Sequence, residues 1–286
     1  MDMKISSLFR VANDVVLVTG GATGLGEMAA QAFVQNGARV IIASRKEEAL
    51  KQTTDRLNSL GPGTCEYQVA DLKDKAGCEA LVRKINATTD RLSVLVNNTG
   101  VSWGAPYEDF PEHGWDKVMA LNVKAVFYMS ARIHSLLQRT ATMESPSRII
   151  NIASVAGLQT LDVTAGDEGG VAAPGHGSFS YGASKAACIH LSKILASKLA
   201  PSHITVNCIC PGLFPSRMTQ FGISNYHNTL LSRQPTGRIG KPSDLAGLVL
   251  FLSSSASAHL TGNVLVLDGG STVSGWGIEK PVLQKI

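Results

Sequence analysis

No apolar run in this 286-residue chain approaches the ~20 residues that span a bilayer, and the N-terminus lacks the charged, then apolar, then small-residue pattern of an export signal. The expectation is a soluble cytoplasmic protein with no membrane partner. Cysteine is scarce: Cys65, Cys78, Cys188, Cys208 and Cys210 are odd in number, show no Cys-x-x-Cys spacing and have no histidine at ligand spacing. This argues for buried thiols, with no metal site and no disulfide framework. Charge is thin and balanced, 26 Lys plus Arg against 22 Asp plus Glu, and no basic run is interleaved with aromatics, so nucleic acid is not an expected partner. No internal repeat or low-complexity tract appears. What is present is an apolar fraction of 44%, enough for one large core, and 28 glycines whose placement is not random.

Residues 15–26, Val-Val-Leu-Val-Thr-Gly-Gly-Ala-Thr-Gly-Leu-Gly, read as strand, tight turn and the start of a helix that continues over 27–34. The helix's first N–H groups lack partners and carry the positive end of its dipole, so the turn suits a phosphate, provided no side chain at Gly20, Gly24 or Gly26 blocks the approach. Alone, such a turn also fits a strand end that needs glycine only for its geometry. Residues 39–43 read as a second strand, followed by Ser44, Arg45 and Lys46. No acid stands there to take a ribose 2′-hydroxyl, and the planar fork of Arg45 suits a 2′-phosphate, which favours NADP over NAD. The same pair also fits the solvated start of a helix over 47–60. Thr23 stands in the glycine loop where NADP users often place a second basic residue.

A third strand over 65–70 ends at Asp71 and Leu72, where the carboxylate suits an adenine amino group or the N-cap of the next helix, expected over 75–88. A fourth strand over 92–96 runs into Asn97-Asn98-Thr99-Gly100, with Trp103, Tyr107 and Phe110 placed either to line a substrate pocket or to pack beneath a loop. A long helical pattern over 115–138 encloses Asn122, an amide that needs partners if buried. A fifth strand over 148–153 stops at Ser154, a position where serine is commonly a turn residue. Tyr181 and Lys185 open a helix running to 199; four apart, they share one face, so the ammonium stabilises charge developing on the phenol oxygen. A sixth strand over 204–209, a helix over 242–252 and a seventh strand over 263–267 complete the pattern.

Taken in order, the glycine turn, Asn-Asn-Thr-Gly, Asn122, Ser154, Tyr181-Gly-Ala-Ser-Lys185, Pro211-Gly212 and Asp268-Gly269-Gly270 resemble the short-chain dehydrogenase/reductase family over 14–270. Thr99 stands where the family pattern has alanine. The resemblance implies an α/β, Rossmann-type, doubly wound fold: a seven-stranded parallel sheet with helices on both faces, in a single NAD(P)-binding domain. It implies NADP(H) held by Gly20, Thr23, Gly24, Leu25, Gly26, Ser44, Arg45, Lys46, Asp71, Leu72, Asn98 and Gly100, and further along by Tyr181, Lys185, Pro211, Gly212, Leu213, Phe214 and Ser216. Tyr181 would be the general acid, Ser154 the donor to the developing oxyanion, and Lys185 the partner of the ribose hydroxyls and the phenol. Asn122 would open a helix kink whose backbone carbonyl holds a water, completing the proton path to solvent.

Substrate contacts are expected at Trp103, Val155 and Phe214. Local segments, Val101-Ser-Trp-Gly and Phe214-Pro-Ser-Arg-Met-Thr219 among them, look closest to 3-oxoacyl-acyl-carrier-protein reductase-like members, the ketoreductases of rhamnolipid pathways in particular. The chain departs from the family between Ser154 and Tyr181, where 26 residues intervene, rich in glycine and carrying Asp167 and Glu168. This insertion, 158–178, is expected to overhang the substrate mouth as a lid, a specificity loop or disordered decoration. Residues 213–240 are expected to form a substrate-binding segment, of which 221–240, polar and mixed in pattern, is mobile and orders with ligand. The tail, 271–286 with Trp276, would cover a neighbouring subunit or the substrate loop. The expected activity is NADPH-dependent reduction of a hydrophobic ketone, 3-oxoacyl or polyketide and secondary-metabolite-like, free or linked to a carrier protein or CoA, to a secondary alcohol. A homotetramer or homodimer pairing the Trp115 and Tyr181 helices is expected. The alternatives are a non-catalytic NADP-binding sensor or scaffold, or a reductase-derived enzyme that isomerises or cyclises its substrate.

Overall fold

Strand β1 (Val15–Thr19) is buried at all five positions, and its side chains alternate between two cores. The computed structural model describes residues 2–160 and 175–274. On one face, Val16 and Val18 pack with Phe33 of α2 (Gly24–Gln35), Leu50 and Leu57 of α3 (Glu47–Asn58) and Val249 of α9 (Pro242–Ser253). On the other, Leu17 packs with Leu81 of α4 (Lys75–Thr88), Ile133 of α6 (Ala125–Gln138) and Leu195 of α7 (Phe179–Leu199). Strands coated on both faces must be apolar throughout, which is why residues 15–18, 40–43 and 94–96 read as unbroken aliphatic runs.

β1 pairs in parallel with β2 (Arg39–Ser44) on one side and β4 (Val94–Asn97) on the other. With β3 (Thr64–Val69), β5 (Ser147–Ile152), β6 (Ile204–Pro211) and β7 (Val264–Leu267), they form one sheet ordered β3-β2-β1-β4-β5-β6-β7. The order reverses between β1 and β4, so the loops leaving these two strands part and open a crevice at the carboxyl edge. The expected doubly wound fold is therefore borne out. Three shorter or peripheral helices remain: α1 (Ile5–Leu8), α5 (Glu112–Met119) and α8 (Gln220–Ser232).

Two segments differ from expectation. The single helix over 115–138 is α5 and α6 joined by a π-helical turn, Ala120–Lys124, centred on Asn122. The segment over 221–240, polar and mixed in pattern with no helix expected in it, carries α8, which buries only Gly222 and Leu230 and is kinked at Tyr226. All five cysteines are buried. Most of the insertion, with Asp167 and Glu168, and the tail beyond residue 274, with Trp276, lie outside the described residues. No helix among the described residues is long and apolar enough to cross a membrane.

Candidate active site

The turn after β1 holds Gly20 at φ 65° and Gly24 at φ 58°, left-handed values that favour glycine. Gly26 is required for a different reason: a Cβ there would lie 2.3 Å from the Gly20 carbonyl oxygen and 2.4 Å from Asn98 Nδ2. Asn98 Nδ2 donates to the carbonyls of Thr19 and Gly20, both at 3.1 Å, and the Asn98 and Thr99 N–H groups donate to Thr19 Oγ1 at 3.0 and 3.1 Å. The end of β4 thereby holds the glycine turn in place. Thr23, at the N-cap of α2, is extended and gives no side-chain bond to the first turn, so the leading N–H groups stay uncapped at the edge of the crevice.

That crevice is a cleft of about 340 Å³. Gly20, Thr23, Gly24 and Leu25 line its centre, and Ser44, Arg45, Lys46, Asp71 and Leu72 line one end. Asp71 accepts from the Lys73 N–H at 3.2 Å, but the N-cap of α4 is Asp74, which accepts from Gly77 at 2.8 Å. Of the two roles open to Asp71, the capping one belongs to its neighbour. Asn98, Thr99 and Gly100 line the opposite wall.

Tyr181 and Lys185 line the other end of the cleft with Ile152 and Ala153. The Lys185 ammonium is 5.6 Å from the Tyr181 ring centroid. It donates to the Ile152 carbonyl at 2.8 Å, and the residue is only 5% exposed. A buried cation needs such fixed partners. Asn122 is fully engaged: Oδ1 accepts from the Val101 N–H at 2.9 Å, and Nδ2 donates to the Val101 carbonyl at 3.0 Å and to Ser184 Oγ at 2.9 Å. Ser184 in turn donates to the Tyr181 carbonyl at 2.7 Å, tying the π turn to the first turns of α7.

Ser154 stands just past β5, and its Oγ accepts from the Ala156 N–H at 3.1 Å to cap the short turn Val155–Gly157. That turn is seated on α7, since a Cβ on Gly157 would meet the Ala186 nitrogen at 2.6 Å. The cleft wall runs through Ala153 and stops short of Ser154.

The three expected substrate residues do not line the cleft. Phe214 is 3% exposed and its ring sits in the core, where a Cβ on Gly240 would be 2.4 Å from it. The Trp103 ring meets His113 edge-on at 4.9 Å and carries Lys117 Nζ at 5.0 Å, so it packs on α5. Val155 is buried within its turn. Pro211, Gly212 and Leu213 belong to loop architecture: the Gly212 N–H donates to Leu267 at 2.9 Å and the Leu213 carbonyl accepts from Gly240 at 2.9 Å. Sequence reasoning passed over Ser184, and also Arg217 and Met218, which line the cleft beside Ser216. Their sequence signal was the place three residues after Tyr181 and the loop following Pro211-Gly212.

A glycine-turn cleft at the strand-order reversal, with a tyrosine and a lysine one helical turn apart at its far end, is the arrangement of a dehydrogenase or reductase. The chain belongs to the short-chain dehydrogenase/reductase family, and a family model described as enoyl-(acyl carrier protein) reductase matches residues 20–272. It is 43% identical over 265 residues to the rhamnolipids biosynthesis 3-oxoacyl-[acyl-carrier-protein] reductase of Pseudomonas aeruginosa, covering 92% of this chain and 97% of that one. It is 32% identical over 266 residues to the 3-oxoacyl-[acyl-carrier-protein] reductase FabG of Thermotoga maritima, covering 92% and 100%. Among solved structures, the Pseudomonas aeruginosa RhlG/NADP active-site complex matches with a TM-score of 0.83 at 42% identity, covering 93% of this chain and 99% of that one.

Proposed function

We propose that the protein is an NADPH-dependent ketoreductase acting on a hydrophobic carbonyl of the 3-oxoacyl thioester type. The observation that carries this reading is the joining, in one cleft, of an uncapped helix N-terminus over a glycine turn with the Tyr181–Lys185 pair. The turn fits a pyrophosphate: a Cβ on Gly24 would meet only Ser216 Cβ, at 3.5 Å, so the space above the free amides belongs to the cleft. Arg45 and Lys46, with no acid at the end of β2, support a 2′-phosphate and hence NADP(H), in agreement with the NADP complex of the related structure. Asp71 and Leu72 would hold the adenine, and Asn98 and Gly100 the ribose beside it.

When bound, NADPH supplies a hydride for the carbonyl carbon. Tyr181 then donates its phenolic proton to the carbonyl oxygen, and Ser154, whose Oγ accepts from Ala156 and keeps its own O–H to give, donates a hydrogen bond to the same oxygen. Lys185, fixed on Ile152, would hold ribose hydroxyls and stabilise the charge left on Tyr181. Asn122 ties the π turn to α7, so that a backbone carbonyl of the turn would hold a water that passes the proton onward to solvent. Carrier-protein or CoA linkage of the substrate, a cytoplasmic location, a single domain and a homotetramer or homodimer complete the proposal.

The test is Tyr181→Phe. It is expected to lower kcat with a 3-oxoacyl thioester by roughly a hundredfold to ten-thousandfold while NADPH still binds in a fluorescence titration. Turnover at near the parent rate would sink the assignment of the acid.

A further inference from the structure

The loop that follows β6 is held rigidly from within. Thr219 Oγ1 donates to the Phe214 carbonyl at 2.6 Å and accepts from the Ser216 N–H at 3.0 Å, while the Phe214 ring is anchored in the core. Arg217 projects from this fixed loop. It is exposed, it lines the cleft, and among the described residues it has no hydrogen bond or ion pair. Arg39, Arg56, Arg238 and Arg148 are engaged, with Glu66, Glu27, Asp244 and the Ser254 carbonyl, whereas the side chains of Arg10, Arg83 and Arg233 are unpaired among the described residues but do not line the cleft. A guanidinium left free at a cleft wall on a braced backbone is arranged for something that enters the cleft.

Its location narrows the choice. The preceding residue, Ser216, is the one that approaches Gly24 at the head of α2. Beyond that approach α2 and α8 draw apart around a groove of about 510 Å³, with Met28, Gln31 and Arg56 on one side and Gln220 and Ile223 on the other. Gly24 and Leu25 of the first turn of α2 line the same cleft as Arg217, whose neighbour Ser216 is the residue that approaches Gly24. Arg45 and Lys46 stand at the end of β2 and Lys185 at the opposite end, so Arg217 is a third, separate cationic place in the cleft.

We propose that Arg217 is a pyrophosphate-binding residue, clamping the dinucleotide's diphosphate from the α8 side while the uncapped amides of α2 hold it from below. This rests on the nicotinamide-cofactor reading and adds a residue to it. The guanidinium's planar fork matches two phosphate oxygens, a fit an ammonium does not reproduce. The clamp also links α8, poorly buried on its own, to α2 through the ligand. A phosphate monoester or diester on a pantetheine arm has the same chemistry, so the experiment must separate the sources.

Fluorescence titrations with NADPH and NADH are compared for the parent protein, Arg217→Met, Arg217→Lys and Arg45→Met. Arg217→Met is expected to weaken both dinucleotides by the same factor, about tenfold, because both carry the pyrophosphate. Arg217→Lys should recover part of the loss, and Arg45→Met should weaken NADPH alone. Unchanged affinities in Arg217→Met, or a loss confined to NADPH, overturns the proposal; a parent that binds neither dinucleotide overturns the cofactor reading itself, and this with it. In the second arm, KM is measured for a 3-oxoacyl-CoA and for its N-acetylcysteamine thioester, which lacks phosphate. A KM ratio unaltered by Arg217→Met supports the pyrophosphate, whereas a rise for the CoA ester alone with intact NADPH affinity assigns Arg217 to the pantetheine arm and overturns it.

Discussion

Gly24 and Gly26 stand two residues apart and are needed for opposite reasons. At Gly24 the backbone is left-handed but the space is open, so alanine costs about 1 kcal/mol of conformational strain. At Gly26 a methyl group runs into the Gly20 carbonyl and the Asn98 amide, neither of which can retreat without breaking the bonds that hold the turn. Gly26→Ala is expected to lower stability by about 3 kcal/mol in urea unfolding and to abolish dinucleotide binding, with Gly24→Ala much milder in the unfolding measurement. At this scale the sequence was legible where spacing alone fixes a relation. Tyr181 and Lys185 must share a helical face, and the glycines must lie under the helix they precede. It was not legible where a side chain's direction depends on distant partners: nothing in the residues around Phe214 or Trp103 announces that one ring fills the space over Gly240 and the other lies against Gly114.

Among the elements, the π turn between α5 and α6 shows how a single inserted residue can serve the neighbouring helix. Asn122 meets three partners with one amide, two on Val101 and one on Ser184, and the last holds the carbonyl of Tyr181. Asn122→Leu fills similar volume but leaves the Val101 N–H and carbonyl unpaired, and it is expected to cost about 2–4 kcal/mol by urea unfolding. Asn122→Ser, which keeps hydrogen-bonding capacity, is expected to lose less. The apolar periodicity over 115–138 survives a one-residue bulge, which is why it reads as one helix. The opposite error arises at α8: it covers only Gly222 and Leu230, so it carries almost no apolar stripe from which a helix could be inferred.

For the molecule as a whole, the unbroken aliphatic runs and the order of motifs made the sheet and its crevice readable before any coordinate. The carboxyl edge collects the chemistry, and the amino edge collects buried charge. There, burial pushes the Asp14 carboxyl up from 3.8 to about 6, against the pull of the Ser93 hydroxyl and of Arg148, Arg10 and Arg91. Because the folded value lies above the unfolded one, the neutral form favours the fold. Its contribution is complete below pH 4 and is lost as the pH rises through 6, a change on the order of 3 kcal/mol. Urea unfolding between pH 4 and 7 is expected to show this downward slope in the parent and a flatter profile in Asp14→Asn, whatever the offset between the two curves.

The chain on either side of residues 161–174 is fastened independently. Before it, the Val155–Gly157 turn is lodged on Ala186; after it, Gly177 exchanges backbone hydrogen bonds with Ala105 at 2.9 and 3.2 Å, and the Phe179 ring lies edge-on to Tyr107 and Phe110. With both moorings on the scaffold, the span between them is a cassette. Exchanging that span for the one of a relative is expected to leave Tyr181 and Lys185 in place, read as an unchanged NADPH affinity in a fluorescence titration.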